Sequence, residues 1–177
     1  MLVKLDTEAA ALFEGTKWIE VFHYLGETKF IFAVGIVLII WLWLYKGNFR
    51  GMFLVLLTYP GGYLLNQALK RVVERPRPEI ANQLTSFSFP SGHAMLSMMY
   101  LLTLAYFITE GSVSKKKSII VWFVASTLIL LIGLSRVAGS RHYMTDVIAG
   151  WSLGYTCFVL CVLWYETRQR QSKIEDV

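Results

Sequence analysis

Apolar residues in this chain fall into long blocks with little polar interruption, separated by short polar segments. The blocks lie near 30–45, 51–69, 94–108, 118–134 and 147–165. Each approaches the roughly 17–25 residues a helix needs to cross a bilayer, the first and third being a little short. A helix on the surface of a soluble bundle would show a polar face, and these blocks lack one. Trp41, Trp43, Tyr45, Trp122, Trp164 and Tyr165 stand near block ends, where amphipathic rings settle at a membrane interface. Residues 1–28 are patterned differently. In "LDTEAAALFEGTKWIEVFHYLG", acids and apolar residues recur at helical spacing, which predicts an amphipathic helix lying along the membrane surface. The stretch lacks the basic start and apolar core of a signal peptide. The predicted fold is all-α: a polytopic transmembrane helix bundle with five visible spans and an N-terminal amphipathic surface helix, forming one membrane-embedded domain over 1–177.

Composition agrees with that pattern. The 177 residues are 55% hydrophobic and 16% charged, and a mean hydropathy of +0.51 is unusual for a soluble domain. Cys157 and Cys161 share a face of the last block, where nothing nearby completes a metal site, so they read as small packing residues. The "YPGGY" group at 59–63 reads as a packing kink in the second block, or as a place where a lipid chain enters between helices.

Charge then sets the orientation. If successive loops alternate sides, one side receives Lys46, Arg50, the Lys115, Lys116 and Lys117 cluster, and Arg168, Arg170 and Lys173. The other side receives the loops 70–91 and 135–145. Those loops are also basic, but their charges occupy patterned positions that ask for a functional explanation. Setting them aside, the positive-inside rule places the lysine cluster and the tail in the cytoplasm and the two patterned loops outside.

Three polar clusters lie in those outward loops. In the first, "LKRVVERPRPE", Lys70 ends a helix and Arg77 follows between two prolines that stiffen its position. The second is Pro90-Ser91-Gly92-His93, at a helix start. The third, "LSRVAGSRHYMTDV", holds Arg136, His142 and Asp146. Taken singly, these are snorkelling anchors, caps and turn residues. Together they supply cations and N-terminal amide and hydroxyl donors on one side of the bundle, which suits a multiply charged oxyanion such as phosphate. His142 and Asp146 are four apart, so on a helix the carboxylate accepts a hydrogen bond from one ring N–H and leaves the other nitrogen free to attack phosphorus. His93 is then available to protonate the departing oxygen.

The pattern Lys70-x6-Arg77-Pro78, Pro90-Ser91-Gly92-His93 and Ser135-Arg136-x5-His142-x3-Asp146 resembles the type 2 phosphatidic acid phosphatase superfamily at every defining position. The resemblance implies His142 as a nucleophile forming a phosphohistidine, Asp146 as its orienting carboxylate, and His93 as general acid and then base. It assigns phosphoryl binding to Lys70, Arg77, Ser91, Gly92 and Arg136, and it implies no metal and no cofactor. The implied substrate is a lipid phosphate monoester, phosphatidylglycerophosphate first, with undecaprenyl diphosphate as the alternative. A non-catalytic anion or lipid carrier is a remote third reading, since carriers place their charges near the membrane midplane rather than at helix ends. The expected partners are the lipid phosphate and the bilayer, with no nucleic acid and no obligate protein partner. The expected location is the cell membrane, with the active site on the extracytoplasmic side. Integral members of the family usually have six spans. Here five are visible, and the sixth would precede the N-terminal stretch.

Overall fold

A computed structural model describes residues 2–13, 15–79, 85–111 and 114–175. Met1, Glu14, 112–113, 176–177 and the middle of the predicted outward loop, 80–84, lie outside the described residues. Every regular element among those described is helical: α1 (Leu2–Phe13), α2 (Lys17–Glu20), a 3-10 turn (Val21–Gly26), α3 (Thr28–Trp41), α4 (Phe49–Leu56), α5 (Gly62–Val73), α6 (Gly92–Thr109), α7 (Lys115–Ala138) and α8 (Met144–Glu175).

Among the described residues, four stretches are long and apolar enough to cross a membrane: Thr28–Lys46, Gly92–Thr109, Lys115–Ala138 and Met144–Gln171. The predicted span near 51–69 falls in a helical run from Phe49 to Val73 that does not reach the same hydropathy. It carries Thr58, Asn66 and Gln67 toward the rest of the bundle. At "LTYPG" this run widens into a π segment (Leu57–Gly61) containing Pro60. The wider turn absorbs the missing proline N–H without ending the helix, as π bulges do. The packing-kink expectation therefore takes a defined form.

Helix α6 occupies the centre. Of its residues, 61% are buried, against 22–28% in the other three apolar spans. It packs chiefly on α7 and α8. Close approach to α8 depends on Gly150 and Gly154, where a Cβ would sit 2.8 Å from the Ser91 carbonyl oxygen and 2.6 Å from that of Met95. This Gly-x3-Gly face lets two membrane helices meet at their backbones. The outer faces of the spans expose Val37, Ile119, Phe123, Leu160 and Leu163, as lipid contact requires. At the end remote from the patterned loops, Asn48 donates to the Tyr165 hydroxyl at 2.7 Å, and that hydroxyl donates to Glu110 at 3.2 Å.

The N-terminal stretch is built in pieces rather than as one helix. Gly15, in the left-handed region at φ +79°, turns the chain between α1 and α2. Helix α1 is also oriented contrary to a soluble amphipathic helix: Leu2, Val3 and Leu12 are exposed, while Asp6 is buried. Asp6 and Ala9 are its buried residues, so one carboxylate is turned to the protein while Lys4 and Glu8 stay exposed.

Candidate active site

The three clusters meet at one end of the bundle because α5, α7 and their loops deliver residues to the start of α6. Lys70 lies in the last turn of α5, Gly92 and His93 open α6, and Arg136 lies in the last turn of α7. A cavity of about 230 Å³ is lined by Lys70, Arg77, Gly92, His93, Arg136 and His142, together with Asn66, Gln67 and Ser86. Three cations and two histidines thus surround one small space.

His142 is the most constrained of them. It is 4% exposed. Arg77 Nη1 lies 3.1 Å from its Nε2. An arginine only donates, so this contact assigns the lone pair to Nε2 and the proton to Nδ1. The Nδ1 side faces Asp146 Oδ2 at 3.6 Å. That is longer than a hydrogen bond, as catalytic pairs without substrate often are. Burial, first, and then the neighbouring cations Arg77, Lys70 and Arg136 hold the His142 pKa down to about 4, against the opposing pull of Asp146. The imidazole is therefore neutral at physiological pH, the form that keeps a ring lone pair.

Arg77 is fixed by its own loop. Nε donates to the Ser86 carbonyl at 2.7 Å, Nη2 to the Ser86 hydroxyl at 3.0 Å, and Nη1 to the Arg141 carbonyl at 2.7 Å. Lys70 donates to the carbonyls of Phe87 at 2.6 Å and Ser88 at 3.4 Å, so it also ties the loop to α5. His93 Nε2 and Arg136 Nε are buried without a hydrogen-bond partner. Unpartnered polar atoms at a cavity of this charge suit an anionic ligand that would satisfy them.

Two predicted site residues do not line the cavity. Ser91 is fully buried and caps α6, its Oγ accepting from Ala94 N at 3.4 Å, while its own N–H donates to the Asp146 carbonyl at 3.0 Å. Asp146, also fully buried, stands behind His142. Its Oδ2 accepts from Tyr143 N at 3.0 Å and its Oδ1 from Arg75 Nη1 at 2.7 Å. Arg75 was not among the residues singled out from sequence. It is the first arginine of the "RPRP" run, and its place next to Pro76, two residues before Arg77, is the available signal. Nor was Asp6, which accepts from Arg75 Nη2 at 2.8 Å.

A family model described as the PAP2 superfamily matches residues 50–170, well over half of the chain. The chain belongs to the PAP2 superfamily. Phosphatidylglycerophosphatase B of Bacillus subtilis (strain 168) is 36% identical over 141 residues, covering 77% of this chain and 68% of that protein. A PA-phosphatase related-family protein of Dictyostelium discoideum is 34% identical over 79 residues, only 24% of its own length. Among solved structures, the transmembrane PAP2 type phosphatidylglycerolphosphate phosphatase from Bacillus subtilis superposes with a TM-score of 0.81 at 28% identity, covering 93% of this chain and 84% of that one. LpxE of Aquifex aeolicus superposes at 0.62 with 22% identity, covering 88% and 93%, and this shows a shared PAP2 fold alone. This PAP2 chain is a membrane protein, and the helical membrane bundle expected from its pattern is the observed one.

Proposed function

We propose that the chain hydrolyses the terminal phosphate monoester of phosphatidylglycerophosphate, yielding phosphatidylglycerol and inorganic phosphate. Membership of a phosphatase superfamily and the similarity to phosphatidylglycerophosphatase B support the activity. The observation that carries the mechanism is the contact between Arg77 and His142 Nε2, in a cavity holding Lys70, Arg136 and His93.

In this reading Lys70, Arg77, Arg136 and the Gly92 amide at the α6 N-terminus take the phosphoryl oxygens, and Ser91 holds that N-terminus in place. The incoming anion draws Arg77 off Nε2. The Nε2 lone pair attacks phosphorus, the phosphorus–oxygen ester bond breaks, and His93 protonates the departing glycerol oxygen. The Asp146 carboxylate, still ionised, offsets the positive charge left on the imidazole by accepting from Nδ1–H. Water then attacks the phosphohistidine with His93 as base, the nitrogen–phosphorus bond breaks, and phosphate leaves. The site residues supply all the positive charge that these steps need.

The active site faces the extracytoplasmic side in this reading. Lys115, Lys116 and Lys117 occupy the first turn of α7, where the helix dipole favours acids. Their presence against that local preference suits anionic headgroups at a cytoplasmic surface.

The test is phosphate release by purified protein from a panel of phosphatidylglycerophosphate, phosphatidic acid and undecaprenyl diphosphate. Phosphatidylglycerophosphate should turn over fastest, and His142→Ala should abolish turnover on every substrate. An active His142→Ala variant overturns the covalent mechanism. Faster turnover of undecaprenyl diphosphate overturns the substrate assignment alone.

A further inference from the structure

Helix α8 starts at Met144 with Tyr143 before it, so Tyr143 holds the cap position. Tyrosine has no short side-chain acceptor there for the free N–H groups of the first turn. Half of a capping box is present: Asp146, three residues on, reaches back to accept from Tyr143 N at 3.0 Å. The other half comes from far away in the chain. Asp6 of α1 accepts from Thr145 N at 2.8 Å through Oδ1 and from the Thr145 hydroxyl at 2.9 Å through Oδ2.

The same Asp6 carboxylate holds Arg75. Arg75 Nη2 donates to Asp6 Oδ2 at 2.8 Å, while Nη1 donates to both Asp146 Oδ1 and the Thr145 hydroxyl at 2.7 Å. The guanidinium also lies over the Tyr143 ring, 4.1 Å from its centroid. Its planar fork therefore bridges two buried carboxylates, a geometry that a point charge does not reproduce. With Oδ1 taken by Arg75, the Asp146 carboxylate is turned so that Oδ2 faces His142 Nδ1. The site's orienting carboxylate is thus itself oriented from outside the motif.

We infer that Arg75 and Asp6 are positioning residues for the Asp146–His142 pair, and that the N-terminal helix α1 is a working part of the active site rather than only a membrane-surface segment. Neither residue lines the cationic cavity. They act through Asp146, and the inference rests on the proposed roles of Asp146 and His142. It also accounts for the burial of Asp6 in a helix whose other charged residues, Lys4 and Glu8, stay exposed.

The test is a set of single-turnover rates of phosphoenzyme formation, with KM, for Arg75→Gln, Arg75→Lys, Asp6→Asn and Asp6→Ala in the full chain. Misplacing a reacting group by about 1 Å can lower a rate about 10²-fold, and Arg75→Gln should approach that loss with KM little changed. Arg75→Lys should recover only part of it. Asp6→Asn keeps an oxygen to cap Thr145 N but turns an amide toward Arg75, so it should slow phosphoenzyme formation while leaving the melting temperature in detergent near that of the wild type. Asp6→Ala loses the cap as well and should lower both.

Combined with Asp146→Asn, Arg75→Gln should cause little further loss, because its effect passes through that carboxylate. A full additional loss in the Asp146→Asn background overturns the inference. So does a wild-type rate for Asp6→Asn, the variant that keeps the protein folded if Arg75→Gln does not. Should His142→Ala retain activity, the covalent mechanism on which the inference rests fails. A dead His142→Ala beside a fully active Asp6→Asn removes only the role of α1.

Discussion

The pH dependence of His142 is the sharpest consequence of the proposed mechanism. An exposed histidine titrates near 6.5, so below neutrality it loses the lone pair needed for attack. The His142 side chain is 3% exposed, and Arg77 Nη1 donates toward its Nε2. Burial and the cations of the site both disfavour the imidazolium, whereas only Asp146 favours it, and the net pKa is about 4. At pH 5 a histidine with a pKa of about 4 is about 90% neutral, whereas one at 6.5 is about 3% neutral. The rate available to free enzyme at pH 5 is therefore about 30-fold higher than an ordinary histidine would allow.

The measurement is kcat/KM between pH 3.5 and 8 in a non-ionic detergent, which keeps the surface pH equal to that of the bulk. Each value is divided by the fraction of dianionic substrate, taken from a phosphorus NMR titration, since phosphate monoesters ionise near 6. On its acid side the corrected profile should fall through about pH 4, any decline toward neutrality belonging to the general acid His93. The acid limb belongs to the His142–Asp146 pair as a unit. The kcat limb should lie at higher pH, because a bound dianion favours the imidazolium. A corrected acid limb of kcat/KM near 6.5 would refute the reasoning, since it would mean that neither burial nor the cations act on the nucleophile. The same shift predicts lower fold stability as pH falls from about 6.5 toward 4, because the unfolded chain then binds a proton that the folded one excludes.

Two further outcomes follow from the packing and the charge pattern. At Gly26 an added Cβ would lie 2.7 Å from both His93 Cδ2 and Ile132 Cγ2. Gly26→Ala should therefore displace the His93 ring and slow phosphoenzyme formation about tenfold or more; a rate equal to wild type would show that His93 tolerates displacement. For sidedness, Glu79→Cys in a background lacking Cys157 and Cys161 should react with an impermeant thiol reagent on intact cells, while Lys116→Cys should react only after the membrane is opened. The reverse pattern places the site in the cytoplasm.

The sequence by itself determined the helical membrane class, because a bilayer forces backbone groups to pair within each segment and so makes apolar block length decisive. It also determined which motif residues to examine. Lys70, Arg77, His93, Arg136 and His142 are brought together around one cavity, and Asp146 stands behind His142 as its spacing predicted. Four of the five predicted spans are evident as long apolar helices. The fifth is blurred because Thr58, Asn66 and Gln67 sit in a helix that packs polar groups against protein as well as lipid. The Gly150 and Gly154 pair gains its meaning from the structure, which sets both against the α6 backbone at Ser91 and Met95.

Only the tertiary structure decided what Asp6, Arg75 and Ser91 do. An aspartate on an amphipathic segment gives one pattern whether it faces water or a buried guanidinium, and the Asp6–Arg75 contact joins residues 69 apart in the chain. Ser91 matches a phosphate-binding motif, yet its hydroxyl caps α6 and the residue lies outside the cavity lining. Local periodicity records which side of a helix differs from the other. Which neighbour that side meets depends on how whole helices dock, and here the docking of α1 on α8 joins a membrane-surface pattern to the carboxylate beside His142.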